Sequence, residues 1–143
     1  MKRLILSAIV LAASTVFASD GWQTNYKSAL EQAAKENKPV LLDFTGSDWC
    51  GWCIKLNKET FSQSEFKDFA KKNLILVELD FPKSNPQTAE VKKQNEELQQ
   101  KFNVHGFPTL VLLNSQGKEI TRNAGYLPGG PKAFIAWVEQ AVK

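Results

Sequence analysis

Trp22, Tyr26, Ala29, Leu30, Ala33 and Ala34 recur at spacings of three and four, the period of one helix face. Asn37 and Pro39 end that pattern. The period then changes. Residues 39–44 read PVLLDF, a nearly unbroken apolar run fronted by proline, as expected of a strand buried on both faces. Helical spacing returns at Phe66, Phe69 and Ala70, with Ser62 and Glu65 at the separation of a capping box. Residues 74–79, LILVEL, predict a second buried strand. Residues 82–101 are polar, and only Val91, Leu98 and Phe102 make a thin apolar stripe. That pattern predicts a solvated surface helix after a Pro-Asn loop. TLVLLN (109–114) is a third strand, and Ser115-Gln116-Gly117 turns the chain into KEITR, the fourth. Pro131 opens a last helix whose inward face is Phe134, Trp137, Val138 and Ala141.

Strands separated by helices imply a parallel βαβ unit, and the late hairpin adds antiparallel pairing. The predicted class is α/β, a central mixed sheet of four strands with helices on both faces.

The first residues follow a different rule. Lys2 and Arg3 precede an apolar or small-residue run from Leu4 to Phe17, and Val16-Phe17-Ala18 offers small residues at −3 and −1 of a cleavage point. This pattern is that of a secretory signal over residues 1–18, and the run is shorter than the ~20 residues a spanning helix needs. Cleavage leaves residues 19–143, the size of one domain. It also removes two of 18 basic residues and no acidic one, so a formal +3 becomes 16 basic against 15 acidic, or +1. No basic block suggests nucleic acid. No later stretch is long and apolar enough to cross a bilayer.

The chain has two cysteines, both within DWCGWC, residues 48–53. Exported proteins usually use cysteines to tie distant segments together, whereas this pair closes almost no loop. It follows a predicted strand and the turn Thr45-Gly46-Ser47-Asp48. If a helix begins near Cys50, Cys50 and Cys53 lie at i and i+3 on one face, their Cα atoms ~5 Å apart, inside the ~4.4–6.8 Å disulfide window. Cys50 then sits at the helix N-terminus, where a thiolate is favoured, and Cys53 one turn inside, better shielded. The expectation is that Cys50 attacks a substrate disulfide and Cys53 resolves the mixed disulfide. Three other uses remain open. A structural disulfide would gain little chain entropy from so short a loop. Zinc wants four ligands, and only His105 could join the two cysteines. Copper carriage lacks methionine support once Met1 is removed.

The run PVLLDF, then WCGWC with Lys55 soon after, then GFPTLVLLNSQGKEI, resembles the thioredoxin superfamily over residues 22–142. Within it, the segment DFTGSDWCGWC is most similar to exported bacterial thioredoxin-like proteins. The resemblance implies a thioredoxin-like fold with a redox-active Cys50–Cys53 disulfide and no bound cofactor or metal. It makes Cys50 the nucleophile, Cys53 the resolving cysteine, and Asp43 a buried acid able to take the Cys53 proton. It makes Phe107-Pro108 a cis peptide bond facing the dithiol, holding Phe107 where its backbone meets a substrate strand. Gly51 lies between the cysteines, and Trp49 and Trp52 would add apolar substrate contact. Seven positions separate Asp43 from Cys50, one more than in thioredoxin itself, so the turn carries an extra residue.

Direction is read from the surroundings of Cys50. Gly51-Trp52 brings no charge toward it, and Asp48 adds a negative one. Both point to a potential between roughly −270 and −180 mV, the values of thioredoxin and disulfide isomerase. The expected function is an exported thiol-disulfide oxidoreductase, reductase or isomerase-like, in the periplasm or outside the cell. Its partners would be protein disulfides or dithiols and a membrane or exported redox partner, and it would act as a monomer. The alternatives are a disulfide-forming oxidase and a thioredoxin-fold binding module with a structural disulfide.

Overall fold

The computed structural model describes residues 17–19 and 21–143. The sheet follows from the two buried runs. Strand β3 (Val40–Thr45) pairs in parallel with β4 (Ile75–Asp80), and on its other side antiparallel with β5 (Thr109–Leu113), which pairs with β6 (Glu119–Ala124). Two short strands, β1 (Phe17–Ser19) and β2 (Trp22–Gln23), extend the sheet beyond β4. The order is β1-β2-β4-β3-β5-β6, six strands among the described residues where four were expected.

Trp22 accounts for part of that correction. Its spacing to Tyr26 matches a helix, but it pairs with Leu76 in the sheet, and helix α1 runs only over Tyr26–Glu36. Asn25 supplies the break: its side chain accepts the Ser28 N–H and caps the helix. Ala29 and Ala33 are buried, whereas Ala34 is exposed. Asn37 ends the helix in the left-handed conformation. The segment after the cysteines also differs from its pattern. Helix α2 (Gly51–Leu56) passes into a π-helical turn, Asn57–Phe61, before α3 (Ser64–Asn73) starts. Gln63 precedes α3 without a side-chain cap, so Ser62 and Glu65 form no capping box. Helices α4 (Ala89–Lys101) and α5 (Gly130–Ala141) match their predicted positions.

Strand alternation sorts the core into two layers. Val40, Leu42 and Phe44 face α1 and α4, packing with Ala29, Ala33, Leu98 and Phe102. Leu41 faces the other way, with Leu56, Phe66, Ala70, Phe134 and Val138 of α2, α3 and α5 around it. Asp43 has the parity of Leu41. It therefore points toward the layer that carries the cysteines. β1 spans the expected cleavage point after Ala18, and residues 1–16 of the expected signal lie outside the described residues.

Candidate functional site

The site forms where β3 ends and α2 begins. Gly46 N–H donates to Cys53 Sγ at 3.5 Å, and the Cys50 N–H bonds back to the Gly46 carbonyl at 2.9 Å, so the turn folds over the first cysteine. Cys50 is the N-cap of α2: its Sγ accepts the Cys53 N–H at 3.3 Å. That N–H stabilises negative charge on Cys50 sulfur once the disulfide opens. The two cysteines form a disulfide with Cα atoms 5.2 Å apart. Shielding distinguishes them little, at 7% and 4% exposed. Their inequality comes from the helix end, not from burial.

The Phe107-Pro108 bond is cis, and the Phe107 carbonyl oxygen lies 3.7 Å from Cys50 Sγ. Pro108 is buried and Phe107 half-buried. Phe107 stacks on Phe81 at 4.9 Å between ring centroids and meets Trp49 edge-on at 6.1 Å. Trp49 donates its indole N–H to the Phe81 carbonyl at 2.8 Å, and the Lys83 ammonium sits 4.2 Å from its ring centroid. A Cβ on Gly46 would stand 2.5 Å from the Trp49 ring, so glycine there makes room for the indole. Trp49 is thus a fixed wall beside the dithiol. Trp52 is the open one, 58% exposed, with Tyr126 at 5.3 Å and Lys55 at 5.2 Å from its ring. Gly51 is exposed, and a Cβ there would meet nothing within 4 Å.

The extra residue in the turn has a use. Asp48 accepts the backbone N–H groups of Lys83, Ser84 and Asn85 at 2.9, 2.7 and 2.8 Å. These bonds hold its carboxyl below the usual carboxylate range. Ser47 adds a backbone bond to Asp80 at 2.9 Å. The turn therefore clamps the loop after β4. The bonds from Lys83, Ser84 and Asn85 favour the ionised form of Asp48.

Beneath the disulfide, Asp43 is 7% exposed and its Oδ1 has no hydrogen-bond partner. Burial, then the charges of Glu78 and Asp80, push its carboxyl well above the ordinary range. Glu78 is the register partner of Asp43 across β3 and β4, and burial raises it too. Asp43, Cys53 and Glu78 share a cavity of about 170 Å³. Among the described residues, no three His, Cys, Asp or Glu side chains are grouped as a metal site, and His105 is exposed.

The model of the thioredoxin-like domain matches residues 26–142. The chain belongs to the thioredoxin-like domain family. It is 44% identical over 122 residues to disulfide bond reductase DsbH of Chlamydia pneumoniae, covering 85% of this chain and 72% of the relative. It is 34% identical to thioredoxin-related protein DsbJ of the same organism over 121 residues, 83% of this chain and 35% of that one, so it spans about a third of DsbJ. A solved structure titled DsbH oxidoreductase superposes with TM-score 0.78 at 39% identity, covering 99% of this chain and 94% of that one.

Within the thioredoxin-like family, this chain is a thiol-disulfide oxidoreductase with Cys50 and Cys53 as its redox pair. All eight residues singled out from the sequence gather at this end of the sheet, Trp49 40% exposed but held by its indole hydrogen bond and Trp52 58% exposed. Sequence reasoning missed Glu78, Phe81, Lys83 and Tyr126. Glu78 carried one usable signal, a charge inside the otherwise apolar run LILVEL. Phe81 and Tyr126 carried none, because they reach the site only through the pairing of β4 and the loop after β6.

Proposed function

We propose that the protein is an exported reductase of protein disulfides. Cys50 attacks the substrate disulfide, forming a mixed disulfide and releasing the first substrate thiolate. Asp43 accepts the proton of the Cys53 thiol, and the Cys53 thiolate attacks Cys50 sulfur. The second substrate thiolate then leaves, and the Cys50–Cys53 disulfide closes. Two electrons pass from the protein dithiol to the substrate, which ends as two thiols. The Phe107-Pro108 segment presents its backbone to the substrate chain beside Cys50. Trp52 and Gly51 form the open approach, and Trp49 lines its side.

One observation carries this reading. Cys50 Sγ caps a helix and stands 3.7 Å from the carbonyl that precedes the cis proline, so nucleophile and substrate-binding edge are adjacent. The name of the Chlamydia relative, a disulfide bond reductase, supports the direction. Export rests on the pattern of residues 1–18, and a dithiol spent outside the cytoplasm requires an exported or membrane-bound donor to restore it. The domain would then be residues 19–143.

Trapping tests the roles. Cys53→Ser should accumulate mixed disulfides through Cys50 with a disulfide-bonded substrate protein, and Cys50→Ser should trap little. Reversed trapping would overturn the assignment. Intact mass of the exported protein should begin at Ser19, and a form retaining Lys2 and Arg3 would refute cleavage there.

A further inference from the structure

The cavity under the dithiol is lined by Asp43 and Glu78 from neighbouring strands and by Cys53 from α2. The two acids are register partners on parallel strands, whose backbones lie roughly 4.8 Å apart in the hydrogen-bonding direction. They share a face, because partners across a ladder point the same way. Asp43 is the inner one, buried with an unpartnered Oδ1. Glu78 is half-buried and opens toward solvent. Among the described residues, no lysine or arginine lines the cavity. The titratable groups facing Asp43 are Glu78 and Asp80 from β4 and Cys53 from α2, and Asp80 is engaged by Ser47. The flanking residue on β5 is Leu110, which is apolar.

Two carboxylates so placed cannot both ionise cheaply. We propose that Asp43 and Glu78 act as one unit holding a single proton, and that Glu78 is the outward half through which the Cys53 proton leaves. This rests on the assignment of Asp43 as the acceptor. In the mixed-disulfide state the unit takes the proton of the Cys53 thiol. The thiolate forms the S–S bond to Cys50, and the substrate sulfur departs with the electron pair of the broken bond. The unit then returns its extra proton to solvent at the Glu78 end, and the departing thiolate takes one from solvent. A cavity of about 170 Å³ has room for the water such a path needs. Glu78 touches no reacting sulfur in this scheme and is a positioning residue.

The test is the pH profile of the resolution step. Reduced protein is mixed with oxidised glutathione in a stopped-flow fluorimeter, and carboxyl carbons are titrated in parallel by NMR. Wild type should show two coupled steps that belong to the pair. Glu78→Gln should collapse them to one step at lower pH, because the like charge beside Asp43 is gone. Above that midpoint its rate should fall about tenfold, a fraction of the ~10²-fold typical of losing a positioned proton acceptor. Glu78→Asp should restore two steps. Asp43→Asn should slow resolution more than Glu78→Gln, and the double variant no further. If Glu78→Gln keeps the wild-type profile while Asp43→Asn is slow, the pair is refuted and Asp43 alone is the acceptor. If Asp43→Asn itself runs at the wild-type rate, the assignment of Asp43 fails, and the pair with it. A change in urea midpoint with an unmoved profile counts against the proposal, since a merely structural glutamate would give that result.

Discussion

Asp43→Asn should make the folded protein more stable at alkaline pH while making it a poorer reductant. Asp43 is buried with one oxygen unpartnered, and burial, then the charges of Glu78 and Asp80, hold its carboxyl well above the ordinary range. Between the unfolded value of ~3.9 and the raised folded value, the folded state binds more protons than the unfolded one. Stability therefore falls as pH rises through that window, and it is lowest where the buried carboxyl ionises. Asparagine keeps the shape and removes the charge. A buried polar group without its partner costs about 1–3 kcal/mol, and more when charged. The expected gain from Asp43→Asn is then about 1–3 kcal/mol at the alkaline end and near zero at pH 4. The assay is urea unfolding of the oxidised protein, followed by tryptophan fluorescence at several pH values, with the slope checked for constancy. A gain that grows with pH supports a carboxyl held for chemistry at the expense of stability. An asparagine variant that is equally or less stable across the range would falsify this account of Asp43 as an uncompensated buried acid.

Three further outcomes are expected. Phe134→Ala removes a fully buried ring packed on Phe61, Phe66 and Trp137 at 5.8, 5.1 and 5.7 Å, and should lower unfolding free energy by about 3–5 kcal/mol, read from urea titration. Asp48→Ala frees the three N–H groups of Lys83, Ser84 and Asn85, so their amide exchange by NMR should speed up while strand β3 stays protected; unchanged exchange would show that the clamp holds nothing. Trp52→Ala, at a 58% exposed position, should change stability by no more than about 0.5 kcal/mol yet lower kcat/KM for a protein disulfide more than for a small aromatic disulfide; equal losses would remove Trp52 from substrate contact.

Local pattern was enough to place the buried runs 39–44, 74–79 and 109–114, the polar surface helix, the last helix opened by Pro131, and a cysteine pair at a strand-to-helix turn. Periodicity reports which side of an element is buried, and helix geometry alone sets the Cys50–Cys53 separation near its observed 5.2 Å. Cis geometry at Pro108 and the burial of Asp43 came from resemblance rather than from spacing. What the chain alone did not decide was which distant residues meet. Trp22 has helical spacing to Tyr26 but is taken by the sheet, because pairing with Leu76 buries its ring against Phe61 and Phe66. Glu78 becomes Asp43's neighbour only through the parallel register of β3 and β4. Asp48 reads in the sequence only as a charge near Cys50, and it also accepts backbone N–H groups of a loop 35 to 37 residues away. Trp49 and Trp52 are equivalent in the string WCGWC, and only packing separates them, one ring held over Gly46 and the other left open. Each of these facts depends on strand register and loop closure, which depend on the whole chain folding at once and leave no periodic trace in the segments they join.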